Sequence, residues 1–148
     1  MSERYAFVIM IKKKWWNEFR RLNISGKTGH AYVQRGFGPP KDGKLIFFYV
    51  VKPVGEIQGY AEFRERVVGE VDTVWKEHGR ESCLSEGQYN DLLREARKVS
   101  FIRFTNLHEA SKPIRLNDIL IFLGVKKLPR RGFYINKEVA DTLIKMMG

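Results

Sequence analysis

Two stretches of this 148-residue chain have no polar side to offer water. In Tyr5 to Ile11, the residues Tyr5, Phe7, Ile9 and Ile11 alternate with Ala6, Val8 and Met10. Leu45 to Val51 repeats the pattern. A strand that is apolar on both faces has to be covered on both, so each run is expected at the centre of a sheet. This rules out a sheet with one face in water and requires helices, or the sheet itself, to wrap both sides.

The rest of the chain mixes helical and strand signals. Trp15, Phe19 and Leu22 fall at i, i+4 and i+7, which predicts a helix over 14–22 with these three on its buried stripe. Trp16 is then turned toward Lys13 and Arg20, on the wetter side. Residues 23–43 are dense in Gly, Pro, Ser and Asp and read as loops around one short strand, His30 to Gln34. Glu56 to Arg64 alternates like a hairpin partner, and Val71 to His78 reads as a helix. Ser85-x-x-Gln88 matches the capping box that opens another helix. Val99 to Leu107 returns to strand character. Asn117 and Asn136 are placed to cap two further helices, the last with a Val139, Leu143, Met146 stripe, and Phe133 to Ile135 is a brief strand. No regular βαβ alternation runs through these elements. The expectation is a single α+β domain over 1–148, a partly closed barrel of five to six strands with peripheral helices.

Composition narrows the function. Hydrophobic residues make up 43% of the chain, which is incompatible with intrinsic disorder. No apolar run approaches the ~20 residues that span a bilayer. Met1 to Tyr5 shows no signal-peptide pattern, and a single cysteine, Cys83, excludes an internal disulfide. These features predict a soluble, cytoplasmic protein with no membrane partner. The net charge of +10 is unevenly spread. Residues 1–52 carry 11 basic and 3 acidic groups, 53–98 carry 7 and 10, and 99–148 carry 9 and 4. Basic ends flanking an acidic middle favour a polyanionic partner, since clustered charge focuses its field on one surface.

Enzymatic signatures are weak. Ser25-Gly26-Lys27-Thr28 resembles a phosphate loop, but Arg21 stands where its first glycine belongs. His30, His78 and His108 are scattered and have no cysteine cluster near them, so no metal, cofactor or catalytic residue is assigned. Cations interleaved with aromatics remain. Lys13, Trp16, Arg20, Lys27, His30, Tyr32, Arg35 and Phe37 form one group, and Lys126, Lys127, Arg130 and Arg131 another. Cations neutralise phosphates while aromatic faces stack on bases. The expected arrangement places both groups around one cleft, with the cations on phosphates and Trp16 and Phe37 on a base.

The run Pro40-Lys41-Asp42-Gly43-Lys44-Leu45-Ile46-Phe47-Phe48-Tyr49, followed by Ile57-Gln58-Gly59-Tyr60-Ala61-Glu62-Phe63, resembles the PUA-like superfamily, to which EVE, ASCH and YTH domains belong. The first 65 or so residues look closest to EVE-like domains, and Gly124 to Ile135 is similar to an archaeal PUA-like family. The resemblance implies a five- or six-stranded pseudobarrel and a nucleic-acid-binding role, with RNA favoured and a modified base in RNA or DNA as one form of ligand. It also implies an aromatic pocket, for which Trp16 with Phe37 or Tyr32 are the candidates. The G-x-K-x-x-E-x-R signature of the ASCH branch has no matching Glu or Arg between Gly26 and Tyr32. Two alternatives stay open. One is an enzyme acting on a nucleoside or modified base through a carboxylate such as Glu62 and a lysine; the other is a small structural or interaction subunit.

Overall fold

A computed structural model describes residues 4–148; Met1 to Glu3, at the head of the N-terminal stretch considered above, lie outside the described residues. The elements run β1 (Ala6–Ile11), α1 (Lys13–Ile24), β2 (Gly29–Gln34), β3 (Leu45–Val50), β4 (Glu56–Glu70), α2 (Val71–His78), α3 (Glu86–Leu92), β5 (Lys98–Arg115), α4 (Leu116–Leu123), β6 (Phe133–Ile135) and α5 (Lys137–Met146). The strands form one six-stranded sheet in the order β2-β5-β4-β3-β1-β6. β1 and β3 pair in parallel through the crossover that contains α1, and the other neighbours are antiparallel. This is the expected α+β architecture.

The doubly apolar strands sit where their composition requires. Phe7, Ile9 and Ile11 of β1, with Ile46, Phe48 and Val50 of β3, face a core shared with Trp16 and Phe19 of α1. Ala6 and Val8, with Phe47 and Tyr49, face a second core closed by Ile119 of α4 and by Ala140, Leu143 and Met147 at the C-terminus. A third cluster packs Val74 of α2 and Tyr89 and Leu93 of the α3 region onto Ala31, Val33 and Phe101. Burying apolar surface at roughly 25 cal/mol per Å² makes these three clusters the main stabilising term.

Helix α1 lies one residue out of the expected phase. Its buried positions are Trp16 and Phe19, spaced i, i+3, while Trp15 is only half-buried at the edge of the core. Trp16 is 1% exposed, and its indole Nε1–H donates to Gln58 Oε1 at 2.8 Å, so its polar handle is satisfied inside. Gly59 makes room for the ring: a Cβ there would lie 2.8 Å from the indole edge and collide with the His108 carbonyl oxygen. In α5 Leu143 is buried as expected, with Ala140 beside it, while Val139 and Met146 are only partly buried against the same core.

Strands β4 and β5 extend well beyond the expected Arg64 and Leu107 and form a long antiparallel pair with three register shifts, α2 and α3 lying between them in the chain. Its outer half has a wetter face, which hid it from a hydrophobicity pattern. The Ser85 capping box and the Asn136 cap are both present, Asn136 Oδ1 accepting from Val139 N–H. Asn117 is not a cap: α4 starts from Arg115 without a side-chain cap bond. No helix among the described residues is long and apolar enough to cross a membrane.

Gly59→Ala is expected to lower stability by about 1–3 kcal/mol through overpacking against Trp16. Urea denaturation followed by tryptophan fluorescence reads this directly, and an unchanged midpoint would contradict the close packing.

Candidate nucleic-acid interface

The open end of the sheet beside β1 and β2 carries a cleft of about 790 Å³, within the usual range for small-ligand sites. Its aromatic and apolar lining includes Met10, Trp15, Tyr32, Phe37 and Leu92. Lys12 and Lys14 from the start of α1, Arg35 after β2, and Arg130 and Arg131 before β6 stand around it. Arg35 of the first basic group and Arg130 and Arg131 of the second, distant in sequence, therefore line one cleft, joined there by Lys12 and Lys14. Gly132 permits the approach of the second. Its φ is +83°, and a Cβ would lie 2.7 Å from the Phe7 ring and collide with the Val8 carbonyl oxygen. The segment carrying Arg130 and Arg131 can thus lie directly against β1.

The cleft's aromatics differ in exposure. Phe37 is 45% exposed on an irregular loop, whereas Tyr32 is half-buried, and burial raises its phenol pKa. Trp15 is half-buried, with the Lys14 ammonium 4.6 Å from its ring centroid. Cys83 also lines the cleft; burial pushes its thiol up to about 12, so it stays protonated at neutral pH and is a poor nucleophile. Asp91 is the carboxylate in the lining, paired with Arg94 at 3.1 Å, and Gln34 and Gln88 add amide groups.

Several expected site residues lie elsewhere. Trp16 is sealed in the core and cannot stack on a ligand; Trp15, its neighbour on the helix, takes the cleft position. Arg20 donates to Glu109 at 2.7 Å, away from the cleft lining. Lys27 donates its ammonium to the Ser82 carbonyl at 3.2 Å, and burial lowers its pKa. Lys13 is exposed but outside the lining, between two lysines that belong to it. Lys127 borders a separate apolar groove with Leu128 and Phe133, and Lys126 is exposed outside both. Glu62 is exposed and accepts from Asn106, outside the cleft lining.

His30 is a core residue, fully buried between Phe19 and Phe104. In the neutral ring its Nε2–H donates to Asn23 Oδ1 at 3.3 Å, and Asn23 is oriented in turn by donating to the Leu107 carbonyl. Nδ1 has no hydrogen-bond partner among the described residues. Burial, reinforced by the positive charge of Lys27, depresses its pKa to about 4. Among the described residues, no group of three His, Cys, Asp or Glu side chains is placed to hold a metal ion.

This fold, a six-stranded mixed sheet with flanking helices, is a PUA-like pseudobarrel. The chain is similar to ASCH proteins of Zymomonas mobilis. The crystal structure of ASCH from that organism matches with a TM-score of 0.77 at 27% identity, over 97% of this chain and 96% of the other. A single-substitution variant of the same protein matches with a TM-score of 0.79 at 25% identity, over 99% of each chain. An ASCH domain-containing ribonuclease of Zymomonas mobilis subsp. mobilis is 28% identical over 131 residues, covering 88% of this chain and 87% of the relative. No protein-family model matches the chain. The likeness holds although the Gly26–Tyr32 stretch lacks the Glu and Arg of the ASCH signature.

His30 gives a pH prediction. Its folded pKa, about 4, lies below the unfolded value of 6.5, so the unfolded chain takes up the proton first as pH falls. The stability this group contributes is complete above pH 6.5 and is lost as pH falls through the window down to 4. The slope approaches about 1.4 kcal/mol per pH unit. His30→Gln is expected to flatten stability-against-pH curves across that window; an unaltered slope would refute the assignment.

Proposed function

We propose that this protein binds single-stranded RNA by taking one unpaired nucleotide into the cleft. The phosphates on either side of that nucleotide meet Lys12, Lys14, Arg35, Arg130 and Arg131 around the cleft. The base stacks on the aromatics of the lining, Trp15, Tyr32 and Phe37. The observation that carries this reading is the convergence of the two basic segments on one aromatic-lined cleft. A duplex does not fit the arrangement, because stacking on protein rings needs an exposed base face. The ribonuclease designation of a relative supports RNA as the polymer.

The binding role does not require chemistry in the cleft: the Cys83 thiol is held protonated, and Asp91 is already paired with Arg94. The relative's designation favours a second reading, RNA cleavage in the same cleft. Incubating the protein with labelled single-stranded RNA, with and without a chelator, separates the two: full-length RNA retained in the bound state supports binding alone, and discrete fragments support cleavage.

Titrating a labelled oligoribonucleotide by fluorescence anisotropy at several salt concentrations tests the binding reading. Each phosphate neutralised contributes about −0.7 to the log–log salt slope. Arg130→Ala is expected to make the slope shallower by about that amount. Trp15→Ala is expected to cost about 1–3 kcal/mol of binding and leave the slope unchanged. Trp16→Ala should instead cost about 3–5 kcal/mol of folding stability. A flat salt response, or equal affinity in Trp15→Ala, would sink the reading.

A further inference from the structure

The aromatic lip of the cleft rests on a segment that has little reason to hold still. Gly36-Phe37-Gly38 follows β2 without regular structure, and two glycines give its backbone wide conformational freedom. A ring on such a segment contributes to stacking only if its place is set before the ligand arrives, because ordering it on binding consumes the gain.

Arg66, on β4 and outside the cleft lining, supplies an anchor. Across the sheet Arg66 pairs with Ile102 of β5, which pairs in turn with Tyr32 of β2, so the three share a sheet face. From there the guanidinium reaches to the lip. Its terminal nitrogen donates to the Phe37 carbonyl oxygen at 2.6 Å, and its Nε–H donates to Ser100 Oγ at 2.9 Å. Ser100 is fully buried, so this second bond ties the guanidinium to an immobile part of the sheet. Charge-assisted bonds of this kind are short and strong. The far end of the loop is held separately, where the Lys41 N–H donates to the Tyr134 hydroxyl at 2.8 Å.

We infer that Arg66 is a positioning residue for the RNA site: it presets the Phe37 ring at the mouth of the cleft through the Phe37 carbonyl and does not itself touch phosphate. The inference rests on the proposed reading of the cleft as an RNA site, but its structural half stands independently. The decisive contrast is with an ordinary phosphate-binding arginine, which would contribute to the salt slope and would not depend on Phe37.

The test uses Arg66→Gln, Phe37→Ala and their combination, with Arg66→Lys as the variant that keeps the charge should Arg66→Gln fail to fold. In the free protein, backbone order parameters from NMR relaxation at residues 36–38 are expected to fall from the rigid range, about 0.85, to below about 0.6 in Arg66→Gln. Order parameters in the buried strands stay unchanged. RNA affinity is expected to fall by about tenfold, the scale of one charged hydrogen bond, with the same salt slope. In the Phe37→Ala background, Arg66→Gln should change affinity by less than about twofold, since the two act through one contact. Arg66→Lys, losing the forked geometry, is expected to lower the order parameters at the lip as well.

Unchanged order parameters at 36–38 would overturn the positioning role whatever RNA does. A shallower salt slope, or an Arg66→Gln effect that persists in full without the Phe37 ring, would reassign Arg66 to direct phosphate contact. Lowered order parameters at the lip with no RNA affinity in any variant would instead overturn the reading of the cleft and leave Arg66 as a structural anchor of the loop.

Discussion

The fold depends on the pairing of β1 with β3, two strands that cannot present either face to water. Phe7, Ile9 and Ile11 demand one apolar layer, and Ala6 and Val8 demand another on the opposite side. A sheet built around them must be covered twice: α1 supplies one cover, and α4 and α5 the other. Because the cover from α1 follows β1 directly, Lys12 and Lys14 are delivered to the end of the central strands. Because β6 pairs with β1 on its free edge, Arg130 and Arg131 are delivered to the same end. The cleft is thus a consequence of how the core is closed.

Charge pairing then sorts the cations. Arg20 is matched to Glu109, Arg21 to Glu18, and Arg103 to both Glu65 and Glu81. Exposed pairs such as Arg21 with Glu18 contribute little to stability, whereas Arg103 and Glu81 are largely buried and joined by two hydrogen bonds; all of these pairs remove their arginines from the pool available to a ligand. Lys12, Lys14, Arg130 and Arg131 have no carboxylate partner among the described residues and stand around the cleft. Their mutual repulsion is relieved by a bound polyanion, which is the electrostatic argument for the site. In the proposed reading the aromatic lining supplies what electrostatics lacks, a preference for flat heterocycles over phosphate alone.

Most element positions were legible in the sequence because local signals agreed with one another. The double apolar runs, the Ser85 capping box, the Asn136 cap and the short Phe133–Ile135 strand all stand where they were expected. Helix phase was not legible. Adjacent tryptophans at 15 and 16 can each begin an apolar stripe with Phe19, one at i+4 and the other at i+3, and both spacings lie on one helical face. Gln58 and Gly59 decide between them, the first by accepting the indole N–H and the second by vacating the volume that the ring fills. Both lie more than forty positions away in the chain, so no local pattern could reveal them. For the same reason the sequence showed aromatics and cations side by side but exchanged the buried and cleft-lining positions of the two tryptophans, and Arg66 carried no signal at all.

From the order of its residues alone this protein was bound to form a sheet buried on both sides, to carry its positive charge at its two ends, and to lack a cysteine framework. Those outcomes follow from composition and from contacts between near neighbours along the chain. Which tryptophan enters the core, which arginines are neutralised, and whether the two charged ends meet were decided by packing between distant segments. There a glycine's missing methyl at 59 or 132, or one well-placed amide oxygen, settles the balance between arrangements that hydrophobic patterning leaves close in energy.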